Sequence, residues 1–256
     1  MSTSLVASLQ VFVLILFRTL AVFMIAPAIS VRAIPTQAKI GLAFFVTLVL
    51  WPLQQASLAA PLSVVALAGA ALRESLVGAL VGFVARLATS AAEMAGGIMD
   101  LQTGFRAGAT LNPLTSAPSS ALDQLYFLAA TLLFLVIDGH HVLLLALTRT
   151  YETIPLASGV SFTGLASERL VSLVSVSITA GCSIALPVVA VTLILDVALA
   201  IVARAVPQVQ VFFVGMPVKI GVALAFMAIV APGAVRLLSL VIGDVPRQVD
   251  WLMGAL

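Results

Sequence analysis

Residues 71–100, ALRESLVGALVGFVARLATSAAEMAGGIMD, decide how the rest of the chain is read. Placed on a helix at about 100° per residue, Glu74, Gly78, Gly82, Arg86, Glu93, Gly96 and Asp100 fall within an arc of about 120°. Leu72, Leu76, Leu80, Phe83, Leu87, Met94 and Ile98 lie opposite. One face is charged and small, the other apolar. From Leu72 to Asp100 such a helix is about 44 Å long at ~1.5 Å per residue, more than the ~30 Å of a hydrocarbon core. A charged side chain at the bilayer centre costs about 2.5–3.5 kcal/mol on insertion scales. Glu74, Arg86 and Glu93 are therefore expected to face protein or water. Gly78 and Gly82 have the small-xxx-small spacing that lets two helix backbones approach closely, so the stripe predicts a packing face within an assembly or along a cavity.

The composition agrees with a membrane protein. Of 256 residues, 62% are hydrophobic and 9% charged, against about a quarter charged in soluble domains. The 12 basic and 10 acidic residues are scattered singly and leave a net charge of +2. No basic block is present to track a phosphate backbone, so no nucleic-acid partner is expected. The single cysteine, Cys182, rules out an intrachain disulfide or a cysteine-based metal site and reads as a small core hydrophobe. The first apolar stretch has neither a basic start nor a small-residue cleavage site and continues past Arg18 to Ala26, as a retained helix does.

Six apolar helical segments follow along the chain, roughly 4–26, 38–60, 62–100, 121–147, 168–204 and 216–242, and no strand-type alternation competes with them. The expected fold is all-α: a membrane-type bundle of six long, partly kinked helices arranged as hairpins. One long break, LQTGFRAGATLNPLTSAPSSAL at 101–122, is too rich in Gly, Pro, Ser and Thr for a continuous helix. A second, ARAVPQVQVFFVGMPVKIG at 203–221, carries more polar and helix-breaking residues than a simple turn requires. Pro207 is expected to end one helix, and Gly215 and Pro217 to shape entry to the next. Pro187 is expected to kink its helix, and Thr192, Asp196, Ala200 and Arg204 recur every fourth residue, with an acid and a base on one face. Positive charges do not orient the chain, because Arg32, Lys39, Arg106 and Arg204 fall on odd-numbered loops and Arg149, Arg169 and Arg247 on even ones.

Catalytic patterns fail on spacing. DGHH at 138–141 sets two histidines beside one acid, but adjacent helical residues diverge by about 100°, unlike the i, i+4 pair that shares a metal. The reading here is a helix interrupted near Gly139. Asp138 and Asp196 sit in apolar surroundings without the Gly-x-Gly-Asp setting of an intramembrane protease. Neither a Gly-x-Ser-x-Gly elbow nor a phosphate-binding glycine loop occurs. No catalytic residue, cofactor or metal is expected, and an enzyme is not.

At several points the chain resembles the FliR family of flagellar export-gate proteins and their virulence type III secretion counterparts. Arg18, Pro27, Ile34-Pro35, Lys39 and Gly41 match the family's order near the N-terminus. Glu74, Gly78 and Gly82, then LQTG at 101–104 and Asn112-Pro113, match its glutamate and glycine helix followed by a loop. LFLVIDGHH matches a Phe-Leu…Gly-His segment. Ala185-Leu186-Pro187, Arg204, Pro207-Gln208, Phe212, Gly215 and Pro217 then stand at the family's spacing.

The resemblance implies a non-enzymatic core subunit of a secretion channel in the bacterial inner membrane, at the base of the flagellum. It would be one protein of residues 1–256, with an N-terminal half (1–147) carrying a pore loop at about 101–123 and a C-terminal hairpin half (148–256). Its implied partners are FliP and FliQ homologues, an FlhB homologue, exported flagellar proteins in transit and membrane lipid. The loop would help plug the pore, with Phe105, Arg106, Leu111, Asn112, Pro113 and Leu114 as its candidate residues; Ala107 and Thr110 depart from the bulkier family pattern. Glu74, Gly78, Gly82, Arg86 and Glu93 are the candidate assembly face. Arg204, Pro207, Gln208, Gln210, Phe212, Gly215, Pro217 and Lys219 form the candidate hairpin tip, set at the constricted base of the gate. Three other readings stand beside this one: the homologous export-apparatus subunit of a virulence type III secretion system, a multi-pass solute transporter using Glu74, Asp138 or Asp196 at a midplane site, and a scaffold without a pore.

Overall fold

The computed structural model describes residues 2–31, 33–57, 61–104, 121–159, 164–206 and 211–256. Its regular elements are helical: α1 (Ser2–Ile25), α2 (Thr36–Leu50), a 3₁₀ helix (Trp51–Ser57), α3 (Val64–Thr103), α4 (Ala121–Val136), α5 (Gly139–Thr153), α6 (Gly164–Ala205), α7 (Val211–Gly243) and α8 (Val245–Met253). Five helices are long and apolar enough to cross a membrane, and six if the bent pair α4 and α5 counts as one span. The all-α membrane bundle read from the sequence is the fold of this chain, which is a multi-pass membrane protein.

Local chemistry accounts for three of the helix ends. α2 begins directly after Pro35, whose φ of −58° and missing N–H suit a helix start. α5 stops at Thr153 because Ile154 precedes Pro155 and takes an extended conformation, φ −127° and ψ 90°. α8 starts after Asp244 with Pro246 in its first turn.

Several boundaries differ from the sequence reading. The 121–147 segment is two helices bent by 69° across Ile137 and Asp138, and Asp138 adopts the left-handed conformation at φ 57°. α7 starts at Val211, so Phe212, Gly215, Pro217 and Lys219 lie within its first turns rather than before it. α6 runs through Pro187. The amphipathic α8 was not anticipated, because its nine residues are too short and too polar to stand out beside membrane-length runs.

The described chain divides into two compact units. The first comprises residues 1–88, 134–174 and 242–256. In it, Trp51 Nε1 donates to the Ser8 carbonyl at 3.1 Å, and Phe12 meets Phe44 and Trp51 edge-on. Gln10 makes paired hydrogen bonds with the Leu62 backbone at 2.9 and 2.7 Å. The second unit comprises 89–133 and 175–241, with a core of Ala91, Ala95, Met99, Leu122, Ile184 and Val188. Small residues bring its helices together: a Cβ on Gly96 would lie 2.6 Å from the Leu122 carbonyl oxygen, and one on Gly181 2.7 Å from that of Ala91.

The two-faced character of α3 is realised. Glu74, Gly78, Gly82, Gly96 and Asp100 are buried, Arg86 and Glu93 are half-buried, and Leu72, Leu76 and Phe83 are exposed. The polar stripe faces protein, and the apolar face is left for lipid or partner chains.

Candidate functional site

In the first unit the polar chemistry converges on Arg18, which is 0% exposed in the C-terminal half of α1. Its Nε lies 2.5 Å from Glu74 Oε2 on α3. One terminal nitrogen donates to Thr150 Oγ1 and the other to the Ile154 carbonyl, both at 3.1 Å, and the guanidinium lies 4.3 Å from the centre of the Tyr151 ring. The second Glu74 oxygen accepts the Ala157 N–H at 3.0 Å. Two buried charges thus neutralise each other, and α5 and the turn after it supply further hydrogen-bond partners to both. That is the condition under which buried ions are tolerated.

Gly78 and Gly82 make this approach possible. A Cβ on Gly78 would collide with the Arg18 carbonyl oxygen, and one on Gly82 would lie 2.9 Å from that of Val22. The small-xxx-small pair therefore seats α3 on α1 of the same chain.

α8 is clamped nearby within the same unit. Arg149 pairs with Asp250 at 3.1 Å, and Arg169 donates to the Trp251 carbonyl while its guanidinium lies 5.0 Å from the Trp251 ring centre.

In the second unit the centre is Asp196 on α6. Lys219 Nζ on α7 lies 2.8 Å from its carboxylate, and Gln102 Nε2, near the end of α3, donates to the same group at 3.1 Å. Asp196 thus pairs with Lys219 across the hairpin, while Arg204, which shares its helical face in sequence, is exposed. Gly215 is buried, and a Cβ there would lie 2.8 Å from Leu199 Cδ1. Pro217 is exposed within α7. Phe212 belongs to the first turn of α7. Pro207, Gln208 and Gln210 lie outside the described residues, as do Phe105, Arg106, Leu111, Asn112, Pro113 and Leu114.

Among the described residues, one group of His and Asp side chains is close enough to hold a metal: Asp138, His140 and His141. The imidazoles lie 4.3 Å apart, centre to centre, rather than diverging. Both histidines stand in the first turn of α5, which begins at Gly139, and Asp138 lies just before it.

The sequence reading named Arg18, Glu74, Asp196 and Lys219 but did not pair Arg18 with Glu74 or Asp196 with Lys219. A carboxylate and a guanidinium in two separate apolar runs were the available signal for Arg18, since each needs an opposite charge inside a membrane protein. Thr150 and Tyr151 carried no signal, and Gln102 appeared only within the LQTG motif at 101–104. What both centres do chemically is fix helices against one another.

Residues 9–244 match the sequence profile of the family described as bacterial export proteins, family 1. The flagellar biosynthetic protein FliR of Bacillus subtilis (strain 168) is 32% identical over 85% of both chains. The protein of the same name from Escherichia coli (strain K12) is 31% identical over 85% of this chain and 82% of its own. The Yop proteins translocation protein T of Yersinia pestis is 31% identical over 61% of this chain and 60% of its own.

Proposed function

The chain belongs to the family 1 bacterial export proteins, and from that premise we propose that it is a non-enzymatic core subunit of a flagellar type III protein export gate in the bacterial inner membrane. The observation that carries this reading is the near full-length likeness to proteins named FliR. The polar chemistry is consistent with it: buried Arg18 and Glu74 of the first unit pair with one another, which suits a structural subunit more than a transporter that would use Glu74 at a midplane solute site.

In this reading residues 1–256 are one subunit, joined with FliP and FliQ homologues around a protein-conducting channel, with an FlhB homologue beside it. The stretch 101–123 serves as the plug. The fastening of Gln102 to Asp196 supports this, since it fixes the root of that stretch to the α6 and α7 hairpin. The hairpin tip, 204–219, contributes to the constricted base of the channel.

Affinity purification of the tagged chain from native membranes tests the proposal. A large complex with two small hydrophobic partners, together with loss of filament secretion on deletion of the gene, is the expected result. A lone monomer, or a deletion strain that exports flagellar proteins normally, would overturn it. The likeness to the Yop translocation protein supports a second reading, the equivalent subunit of a virulence secretion system. In that case deletion abolishes effector secretion and spares motility.

A further inference from the structure

The chain's two histidines stand side by side at the α4–α5 bend, and neither centre described above uses them. Asp138, the residue before α5, holds the left-handed conformation at φ 57° and ψ 31°. A non-glycine residue there is uncommon and costs of the order of 1 kcal/mol or more, so the position calls for an explanation. An aspartate preceding a helix ordinarily accepts a backbone N–H from the first turn. Asp138 makes no such side-chain bond. Its Oδ1 instead lies 3.5 Å from His141 Nδ1 and 3.9 Å from His140 Nε2.

One ligand atom from each of the three residues lies within 4.8 Å of the others. These separations are long for hydrogen bonds. They approach the spacing of neighbouring ligands around a single ion with bonds of about 2.0–2.2 Å, reached after a small inward rotation of the side chains. The side chains of Asp138 and His141 are about 70% exposed and that of His140 is 42% exposed, which leaves room for an ion and for further ligands beside these three.

We propose that Asp138, His140 and His141 form a surface site for one borderline divalent transition-metal ion, zinc foremost. Two imidazole nitrogens and one carboxylate oxygen suit Zn²⁺, Co²⁺ or Ni²⁺; Mg²⁺ and Ca²⁺ prefer all-oxygen shells. The bound ion fixes the first turn of α5 and keeps open positions on its outer side. The proposal is independent of the export-gate reading.

Zn²⁺ titration of the full-length chain in detergent at neutral pH, followed by calorimetry with a histidine-free tag, tests it. The expected result is one ion per chain, unaffected by excess Mg²⁺, with affinity reduced at least tenfold in Asp138→Asn and in His141→Ala. Asn tolerates the left-handed conformation, so the first variant removes the ligand charge while sparing the backbone. A Cys182→Ser variant, which removes the chain's single thiol, binds as the parent does. Absence of stoichiometric binding, or binding that survives both Asp138→Asn and His141→Ala, would overturn the proposal.

Discussion

Arg18 shows how much of one unit depends on a single side chain. It is wholly buried, joins Glu74, Thr150 and the Ile154 carbonyl, and covers Tyr151. Removing one member of a buried pair leaves the other charge without compensation, at a cost of about 3–5 kcal/mol, whereas replacing both with apolar residues is often near neutral. Arg18→Met and Glu74→Leu are each expected to lower the thermal stability of the purified chain sharply. The double variant should recover part of that loss, and a thermal-shift double-mutant cycle reads the coupling directly. Arg18→Lys should also destabilise, because an ammonium cannot reproduce the planar fork that serves three partners. From sequence, Glu74 was legible as a charge that lipid would reject. Its partner was not, because helical periodicity shows which face is polar and carries nothing about which helix, 56 residues away, meets that face.

At the scale of elements, the contact between α1 and α3 rests on two glycines with unequal clearance. A methyl on Gly78 would overlap the Arg18 carbonyl oxygen, whereas one on Gly82 would lie 2.9 Å from the Val22 carbonyl oxygen and 3.0 Å from Ile25 Cβ, a clash of smaller extent. Gly97, in the same helix, has no neighbour within 4 Å of a built Cβ. Gly78→Ala should therefore destabilise more than Gly82→Ala, by about 1–3 kcal/mol as for other overpacked sites. Gly97→Ala should be neutral or stabilising by up to ~1 kcal/mol through helix propensity. Limited proteolysis of the three variants in detergent gives the order, and equal sensitivity would remove the argument from clearance. Helix ends were less legible than helix faces. Gly215 and Pro217 read as punctuation in the sequence, but in membrane-type helices local adjustment and neighbouring groups satisfy the backbone that proline leaves open, so α7 begins before them. The bend at Asp138 was legible only as an interruption, since the left-handed residue that turns the chain is an aspartate rather than a glycine.

For the whole molecule, each unit has its own polar fastening, and the two differ in exposure. Arg18 and Glu74 are sealed from solvent, whereas the side chains of Asp196 and Lys219 are 42% and 17% exposed. The Asp196 fastening is thus the weaker and the more easily released, as partly solvated pairs are. It also holds Gln102, two residues before the last described residue of that segment, Gly104. If 101–123 plugs an export channel, loosening this root should make the plug leak without unfolding the subunit. Asp196→Asn is expected to leave assembly intact and raise the passage of small solutes across membranes containing the complex. Deleting 106–118 should raise it further, and Arg18→Met should instead reduce the amount of assembled complex. Solute-induced swelling of cells or vesicles bearing the whole complex separates these outcomes. A leak that appears for the deletion but not for Asp196→Asn would limit the role of Asp196 to joining α6 and α7. Unchanged permeability for both, in complexes of normal abundance, would sink the plug.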